Sequence, residues 1–140
     1  MIYVDTSVLV ALCTHEARSH DVNAWYRACR DELVTAFWCV TEFSSALGMK
    51  QRTGQISQAQ ANLAGERFER LCANDLHLLP IEPDDYFRAA GLVLDPAQGL
   101  RAGDALHLAV ALRVGAKSMA TLDVRLAENA ARMKLKLISI

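Results

Sequence analysis

Short apolar runs alternate with longer amphipathic segments along the whole chain. The first run, Ile2 to Val4, and a second run over 33–37 show no polar alternation. Runs of this kind are typical of strands that are buried on both faces, as they are in parallel sheets. Three weaker runs complete a set of five predicted strands: 76–81, 117–121 and 135–140.

Helical periodicity fills the intervals between these strands. Ser57 followed three residues later by Gln60 is a capping box, and Gly54 stands at a C-cap position. Residues 38–39 are expected to form a bend between the second strand and the helix that follows it. The predicted helices run from Thr6 or Ser7, either of which can serve as N-cap, to about Cys13, from His20 or Asp21 to Arg30, and over 40–52, 57–73, 83–94, 100–112 and 124–133.

The order of these elements predicts an α/β fold with a central, mostly parallel sheet of about five strands and helices on both faces. Strands that alternate with helices are joined by right-handed crossovers, which place parallel strands side by side. A chain of 140 residues is one domain by length, so residues 1–140 are assigned to a single unit. With 52% hydrophobic and 22% charged residues, the chain can bury a core without staples.

Four acidic residues take equivalent places in this scheme. Asp5 ends the first strand, and Glu42 lies in the first turn of the helix after the second strand. Asp104 lies in the first turn of a nearly all-apolar helix, and Asp123 begins the helix after the fourth strand. Because the carboxyl ends of parallel strands face one edge of the sheet, these four side chains are expected to lie together.

Carboxylates packed together repel one another, and protonation or a bound cation relieves the repulsion. Oxygen ligands without histidine or cysteine among them suit Mg²⁺ or Mn²⁺ better than zinc. A site of this kind can hydrolyse phosphodiester bonds, because the metal activates water and stabilises charge on the leaving oxygen. The acidic residues therefore predict metal-assisted phosphodiester hydrolysis.

Each acidic residue also has a structural interpretation. Asp123 could serve only as a helix cap, and Glu42 could only compensate the helix dipole. Asp104 opens a helix with little polar surface, where a buried acid needs a partner, and Arg101 could supply a local ion pair. Asp5 stands next to two hydroxyl residues and could belong to a capping cluster.

Four segments carry the acidic residues: 1–7 (MIYVDTS), 41–43 (TEF), 100–109 (LRAGDALHLA) and 121–126 (TLDVRL). This ordered set, which spans the whole chain, resembles the PIN-domain ribonucleases, and among them the VapC toxins of bacterial type II toxin–antitoxin pairs.

The resemblance implies a Mg²⁺- or Mn²⁺-dependent endoribonuclease that acts on an RNA substrate, is inhibited by a cognate VapB-like antitoxin, and forms a homodimer. By position, Asp5, Glu42, Asp104 and Asp123 match the family's acidic metal site. Thr6 or Ser7 and Thr121 match the hydroxyl positions that support this site.

Basic residues near these segments could bind RNA phosphates. The net charge of −1 provides no broad basic field, so a local rim is the form expected. The candidates are Arg18, Lys50, Arg52, Arg101 and Arg125, of which Arg101 and Arg125 lie nearest to the acidic residues.

Three further features carry hypotheses. Trp38, after the second strand, could stack on a base, whereas His107 is interpreted as a hydrogen-bonded core histidine. The segment 40–73 carries more apolar residues than a solvent-facing hairpin needs, including Leu63 and Phe68. We expect part of this hairpin to contact the antitoxin or a second copy of the chain.

Two other functions compete with the ribonuclease. A phosphatase of the haloacid-dehalogenase type also places an aspartate at the end of its first strand, but it needs a second aspartate two residues later, where this chain has Ser7. A non-catalytic module that binds RNA or protein is the other alternative. Clustered acids repel RNA unless a cation intervenes, which disfavours that module.

The expected location is the cytoplasm. Met1 leads directly into a predicted strand, without the basic region of a signal peptide. No apolar run reaches the length of a membrane span, and no membrane partner is expected. The four cysteines lack the spacing of zinc sites and are interpreted as buried thiols of a reducing compartment.

Overall fold

A computed structural model describes all residues from 1 to 140 and contains one sheet of five strands. The spatial order is β3-β2-β1-β4-β5, and every pairing is parallel. This confirms the predicted parallel sheet. The strands are β1 (Ile2–Val4), β2 (Leu33–Ala36), β3 (Leu76–Leu79), β4 (Ser118–Ala120) and β5 (Lys136–Leu137).

Seven α-helices and one short 3-10 turn over Pro96–Gln98 connect the strands. No helix combines the length and the apolar character needed to cross a membrane. The helices are α1 (Thr6–Cys13), α2 (Ser19–Ala28), α3 (Trp38–Arg52), α4 (Gln58–Asn74), α5 (Pro83–Val93), α6 (Ala102–Arg113) and α7 (Val124–Arg132).

Residues of β1 to β4 point into two separate cores on the two faces of the sheet. Ile2 and Val4 of β1 pack with α1 to α4, whereas Tyr3 between them packs with α5, α6 and α7. Helices therefore cover both faces of the sheet, as the sequence predicts. In the first core the rings of Phe43 and Phe68 stack with centroids 4.2 Å apart. Of the two residues named for the apolar surface of the α3–α4 hairpin, Phe68 is therefore buried, whereas Leu63 is 44% exposed as predicted.

The sheet order reverses direction at β1. From β1 the chain builds outward to β2 and β3, and it later returns to place β4 on the other side of β1. In doubly wound folds a crevice opens between the two strands at such a reversal, at their carboxyl ends. Asp5 follows β1 and its backbone N–H donates to the carbonyl of Ala120, the last residue of β4, at 2.9 Å. The residues after β1 and β4 therefore meet at this crevice.

The prediction of a bend at Trp38 and Cys39 is wrong. The backbone N–H of Phe37 still continues the sheet, donating to the Leu79 carbonyl at 2.9 Å, and Phe37 already has helical dihedral angles. Cys39 is fully buried, and the packing of this one side chain lets α3 start directly from the strand. Glu42 consequently lies in the second turn of α3 and not in the first.

Two aspartates cap the helices at the crevice. Asp5, and not Thr6 or Ser7, is the N-cap of α1, because its Oδ2 accepts from the backbone N–H of Ser7 at 3.2 Å. Asp123 caps α7 by accepting from the N–H of Leu126 at 2.8 Å, as predicted. Both aspartates therefore have the helix-capping role that the sequence offers as their structural interpretation.

We predict that the buried ion pair between α5 and α6 stabilises the fold. Asp85 is 2% exposed, and both its oxygens accept from Nε of Arg113 at 2.9 Å. Arg113→Met should lower the free energy of unfolding by about 3 kcal/mol, because it leaves a buried carboxylate without its cation. Urea unfolding measures this, with exposed Arg88→Met as the control. An equal loss in both variants would show that the pair has no special role.

Candidate active site

The four predicted acidic residues line one cleft of about 560 Å³ at the carboxyl edge of the sheet. Asp5 comes from the start of α1, Glu42 from α3, Asp104 from the first turn of α6, and Asp123 from the start of α7. The structure thus brings together residues that are up to 118 positions apart in the sequence. Their convergence follows from the parallel sheet, which directs these helix starts to the same edge.

Hydroxyl groups hold the carboxylate of Asp5. Its Oδ2 accepts from Oγ of Ser7 at 2.5 Å and from Oγ1 of Thr121 at 3.0 Å, and the residue is 3% exposed. The same two hydroxyls accept backbone N–H groups of Leu122 and Asp123 at 2.9 and 3.0 Å. The segment after β4 is therefore tied to Asp5, and Oδ1 of Asp5 is left without a hydrogen bond.

A buried chain of side chains holds Glu42. Its Oε1 lies 2.5 Å from Nε2 of His107 and 3.4 Å from Oγ1 of Thr6, and Nδ1 of His107 lies 2.7 Å from the Tyr3 hydroxyl. Burial raises the pKa of Tyr3, so its hydroxyl keeps the proton and forms one hydrogen bond with Nδ1 of His107. A carboxylate only accepts, so the Nε2–H group of His107 donates to Glu42.

The core position of His107 is confirmed, since it is fully buried and hydrogen-bonded. Burial acts to lower the pKa of His107, but the hydrogen bond to Glu42 and the charge of Asp5 outweigh it and raise the pKa. Sequence reasoning missed that this histidine orients an acidic residue of the cleft. The available signal was its position three residues after Asp104, on the same face of α6.

Negative charge is in surplus in the cleft. Burial, followed by the charges of Asp5 and Asp123, raises the pKa of Asp104 to about 6 against the opposing effect of Arg101. The guanidinium of Arg101 lies 3.9 Å from Asp104 and 3.6 Å from Asp123, but its side chain is 83% exposed. One solvated cation at these distances is a weak partner for two carboxylates.

Only two of the five basic residues proposed to bind RNA phosphates line the cleft. Arg101 and Lys50 line the cleft, whereas Arg18, Arg52 and Arg125 do not. Arg125 packs over Gly99 and pairs with Glu128 at 3.4 Å. Lys50 lies at the far end of the cleft, where its Nζ is 2.6 Å from Oε1 of Glu16.

Trp38 also lies outside the cleft lining, although it was a candidate for base stacking. Its Nε1 is buried without a hydrogen-bond partner and sits beside Gly103. A Cβ atom at position 103 would lie 3.0 Å from this nitrogen and 3.7 Å from Oε2 of Glu42. Gly103 therefore lets the start of α6 approach α3 closely enough to bring Asp104 to Glu42.

The donor chemistry of the cleft suits a hard divalent cation, because carboxylate and hydroxyl oxygens are the ligands such ions prefer. Burial and the charges of Asp5 and Asp123 both raise the pKa of Asp104, and a bound cation would offset both effects by stabilising the ionised carboxylate. In the present arrangement, however, no three His, Cys, Asp or Glu side chains lie close enough to form a metal-binding group. The acidic side chains instead point to protein donors, so a cation would have to displace some of these contacts.

The PIN domain family model matches residues 2–132 of the chain. The search among proteins of curated function found no match to the chain. Because this match covers nearly the whole chain, the chain belongs to the PIN-domain family.

Solved structures share this fold. VapC20 of Mycobacterium tuberculosis, a sarcin–ricin loop cleaving toxin, is 21% identical, with a TM-score of 0.74 over 92% of this chain and 95% of that one. FitAcB from Neisseria gonorrhoeae is 18% identical, with a TM-score of 0.71, and the match covers 99% of this chain and 97% of that one. VapBC2 from Rickettsia felis, bound to promoter DNA, is 15% identical, with a TM-score of 0.64, and the match covers 99% of this chain and 98% of that one. The chain has the fold of VapC-type toxins.

We predict that Asp104 makes the stability of the metal-free protein depend on pH. Its carboxyl group holds a proton more tightly when folded, with a pKa of about 6 against 3.8, so ionisation opposes folding. The penalty is absent below about pH 4, grows until about pH 6 and then stays constant, reaching up to about 3 kcal/mol. Asp104→Asn should therefore stabilise the protein at neutral pH and leave stability unchanged at acid pH. Urea unfolding in EDTA measures this. If wild type and Asp104→Asn differed in unfolding free energy by the same amount at both pH values, the prediction would be contradicted.

A second prediction concerns the close approach at Gly103. Gly103→Ala should destabilise the protein by about 1–2 kcal/mol and shift the tryptophan fluorescence, because its methyl group would press on the Trp38 indole. Gly91→Ala in α5 is the matched control. No atom lies within 4 Å of its added Cβ, and alanine favours a helix by up to about 1 kcal/mol. If both variants gained stability, the contact at Gly103 would not be tight.

Proposed function

We propose that the protein is a metal-dependent endoribonuclease toxin that hydrolyses RNA phosphodiester bonds and is inhibited by a cognate VapB-like antitoxin. The observation that carries this proposal is the convergence of four carboxylates in one cleft, where burial and the charges of Asp5 and Asp123 raise the pKa of Asp104. Membership of the PIN-domain family supports it. A cluster of carboxylates without counter-charges is unfavourable, and a bound cation removes that cost. Such clusters therefore mark functional sites.

Mg²⁺ or Mn²⁺ is the proposed cofactor. When bound, such an ion activates water for attack on phosphorus and neutralises charge on the phosphate. The residues proposed to hold it and to carry the reaction are Asp5, Glu42, Asp104 and Asp123.

The surrounding side chains would fix these carboxylates in place. Ser7 and Thr121 orient Asp5 through their hydroxyl groups, and Thr6 lies within 3.4 Å of Glu42. His107 holds the other side of the cleft by donating to Glu42. Arg101, at the mouth, would turn from its neighbouring carboxylates to bind an RNA phosphate, as its high exposure allows. Arg125, which lies outside the cleft lining, is proposed to bind RNA beside it.

The surroundings of Asp5 disfavour the phosphatase alternative. Ser7 occupies the position where that chemistry needs an acid, and its hydroxyl donates to the carboxylate at 2.5 Å. That chemistry also needs a nearby proton donor of suitable acidity, which an aspartic acid supplies and the Ser7 hydroxyl does not. Phosphorylation of Asp5 would revive this alternative.

The partner proposals rest on the related structures. FitAB, VapBC2 and a Klebsiella pneumoniae protein with this fold were solved as complexes, the last described as a toxin–antitoxin complex. We propose an antitoxin partner for this chain by analogy with these complexes, and a homodimer because the resemblance to VapC toxins implies one. We also assign the whole of 1–140 to the nuclease domain, because β5 pairs with β4 beyond the end of the family match at residue 132.

The proposal predicts RNA cleavage with Mg²⁺ or Mn²⁺ that EDTA abolishes. Asp5→Asn and Asp104→Asn should each lower the rate by about two orders of magnitude or more, because each removes charge from the cleft. Exposed Asp84→Asn in α5 is the control and should cleave normally. Circular dichroism establishes that all three variants are folded.

Cleavage that both cleft variants leave undiminished would refute the assignment. RNA binding without cleavage, unaffected by EDTA, would favour a non-catalytic binding module.

A further inference from the structure

The cleft does not end at the carboxylates but continues between α1 and α3. Beyond Glu42 it is lined by the apolar side chains of Val10, Ala46 and the half-exposed Met49, followed by the polar set of Gln55 and the Lys50–Glu16 ion pair. Glu42 and Lys50 are eight residues apart on α3, which separates them by about 12 Å along the helix. The distal part of the cleft thus has an apolar floor and a cation at its end.

Lys50 differs from the other cation of the cleft. Its side chain is 15% exposed, compared with 83% for Arg101, and its Nζ is 2.6 Å from Glu16. The backbone of Glu16 is itself held, since its N–H donates to the buried Ser19 hydroxyl at 2.8 Å and its carbonyl accepts from the N–H of Ser19 at 3.0 Å. Lys50 is therefore directed into the cleft at a defined position.

We propose that Lys50 is a positioning residue that binds a backbone phosphate of the RNA strand a few nucleotides from the point of cleavage, and that Glu16 competes with this phosphate for Lys50. This inference rests on the proposed ribonuclease function and deepens it by assigning a substrate subsite.

The charge distribution along the cleft supports this path. A strand whose phosphate lies at the carboxylates meets no other cation along the α1–α3 groove until it reaches Lys50. The apolar floor suits ribose or base faces, which bind protein by stacking and van der Waals contact. The separation of about 12 Å corresponds to roughly three or four nucleotides of a stacked strand.

A different result is expected if the ion pair between Lys50 and Glu16 only stabilises the fold. Removing either partner of such a pair has the same small effect on stability, about 0–1 kcal/mol for a partly exposed pair. Competition with a phosphate instead requires that the two substitutions change RNA affinity in opposite directions. Lys50→Gln removes the cation, whereas Glu16→Gln frees it.

The test uses fluorescence anisotropy with a labelled single-stranded RNA of random sequence and about 12 nucleotides, with Ca²⁺ in place of Mg²⁺ to suppress cleavage. Lys50→Gln should weaken binding about fivefold and lower the slope of log affinity against log salt by about 0.7, the value for one phosphate contact in a single strand. Glu16→Gln should tighten binding. Lys50→Arg should bind as the wild type does.

Matched controls lie outside the cleft. Lys117→Gln, before β4 at the opposite edge of the sheet, and Glu66→Gln, exposed on α4, should leave affinity unchanged. A labelled dinucleotide, too short to reach from the carboxylates to Lys50, should bind all variants equally. In cleavage assays with Mg²⁺, Lys50→Gln should raise KM and leave kcat unchanged, because the contact is equal in ground and transition states.

The outcomes separate this inference from the proposed function. If the wild type cleaves RNA but the Lys50 and Glu16 variants bind and cleave as it does, the phosphate subsite is overturned and the ribonuclease stands. If Lys50→Gln and Glu16→Gln shift affinity in the same direction, the pair is structural. If the wild type neither binds nor cleaves RNA, both proposals fall together.

Discussion

Mutual repulsion among four carboxylates at one edge of the sheet is the constraint on which the rest of the site depends. In a partly buried crevice this repulsion is screened less than in water, and it must be balanced by donors or by a cation. Asp5 is balanced by two hydroxyl groups, Glu42 by an imidazole and Asp123 by a helix N-terminus. Asp104 has only a distant, solvated arginine, and its raised pKa shows where the balance is incomplete. That unbalanced charge is the feature that a divalent cation would complete.

The support for Glu42 reaches into the α5–α7 core of the protein. Tyr3 lies in the middle of β1, and its hydroxyl both accepts from the backbone of Ala36 at 3.0 Å and lies 2.7 Å from His107. It thereby connects the end of β2, the centre of α6 and the carboxylate of Glu42. A phenylalanine would fill the same space without satisfying either group. The packing of the α5–α7 core and the orientation of the acidic cleft are therefore parts of one hydrogen-bonded network.

The cleft also explains how a chain with a net charge of −1 can be suited to RNA. It has no broad basic surface, and its centre is acidic, so attraction must come from a bound cation and from single basic residues at defined positions. Arg101 at the mouth and Lys50 at the distal end flank the carboxylates from two sides. Because these two cations lie at defined positions and do not form a diffuse basic surface, they would favour binding of an RNA strand that runs along the cleft.

The sequence by itself determined the fold class, the five parallel strands and the meeting of Asp5, Asp104 and Asp123 at one edge. These follow from local apolar patterns and from the rule that parallel strands end together. Tertiary structure alone decided the early start of α3, because only packing shows that Cys39 is buried. It also decided that His107 orients Glu42, 65 residues away, and that Lys50 lines the cleft while Arg125 does not. Local periodicity fixes which face of an element is apolar, but the direction and partner of a polar side chain depend on which distant elements pack against it.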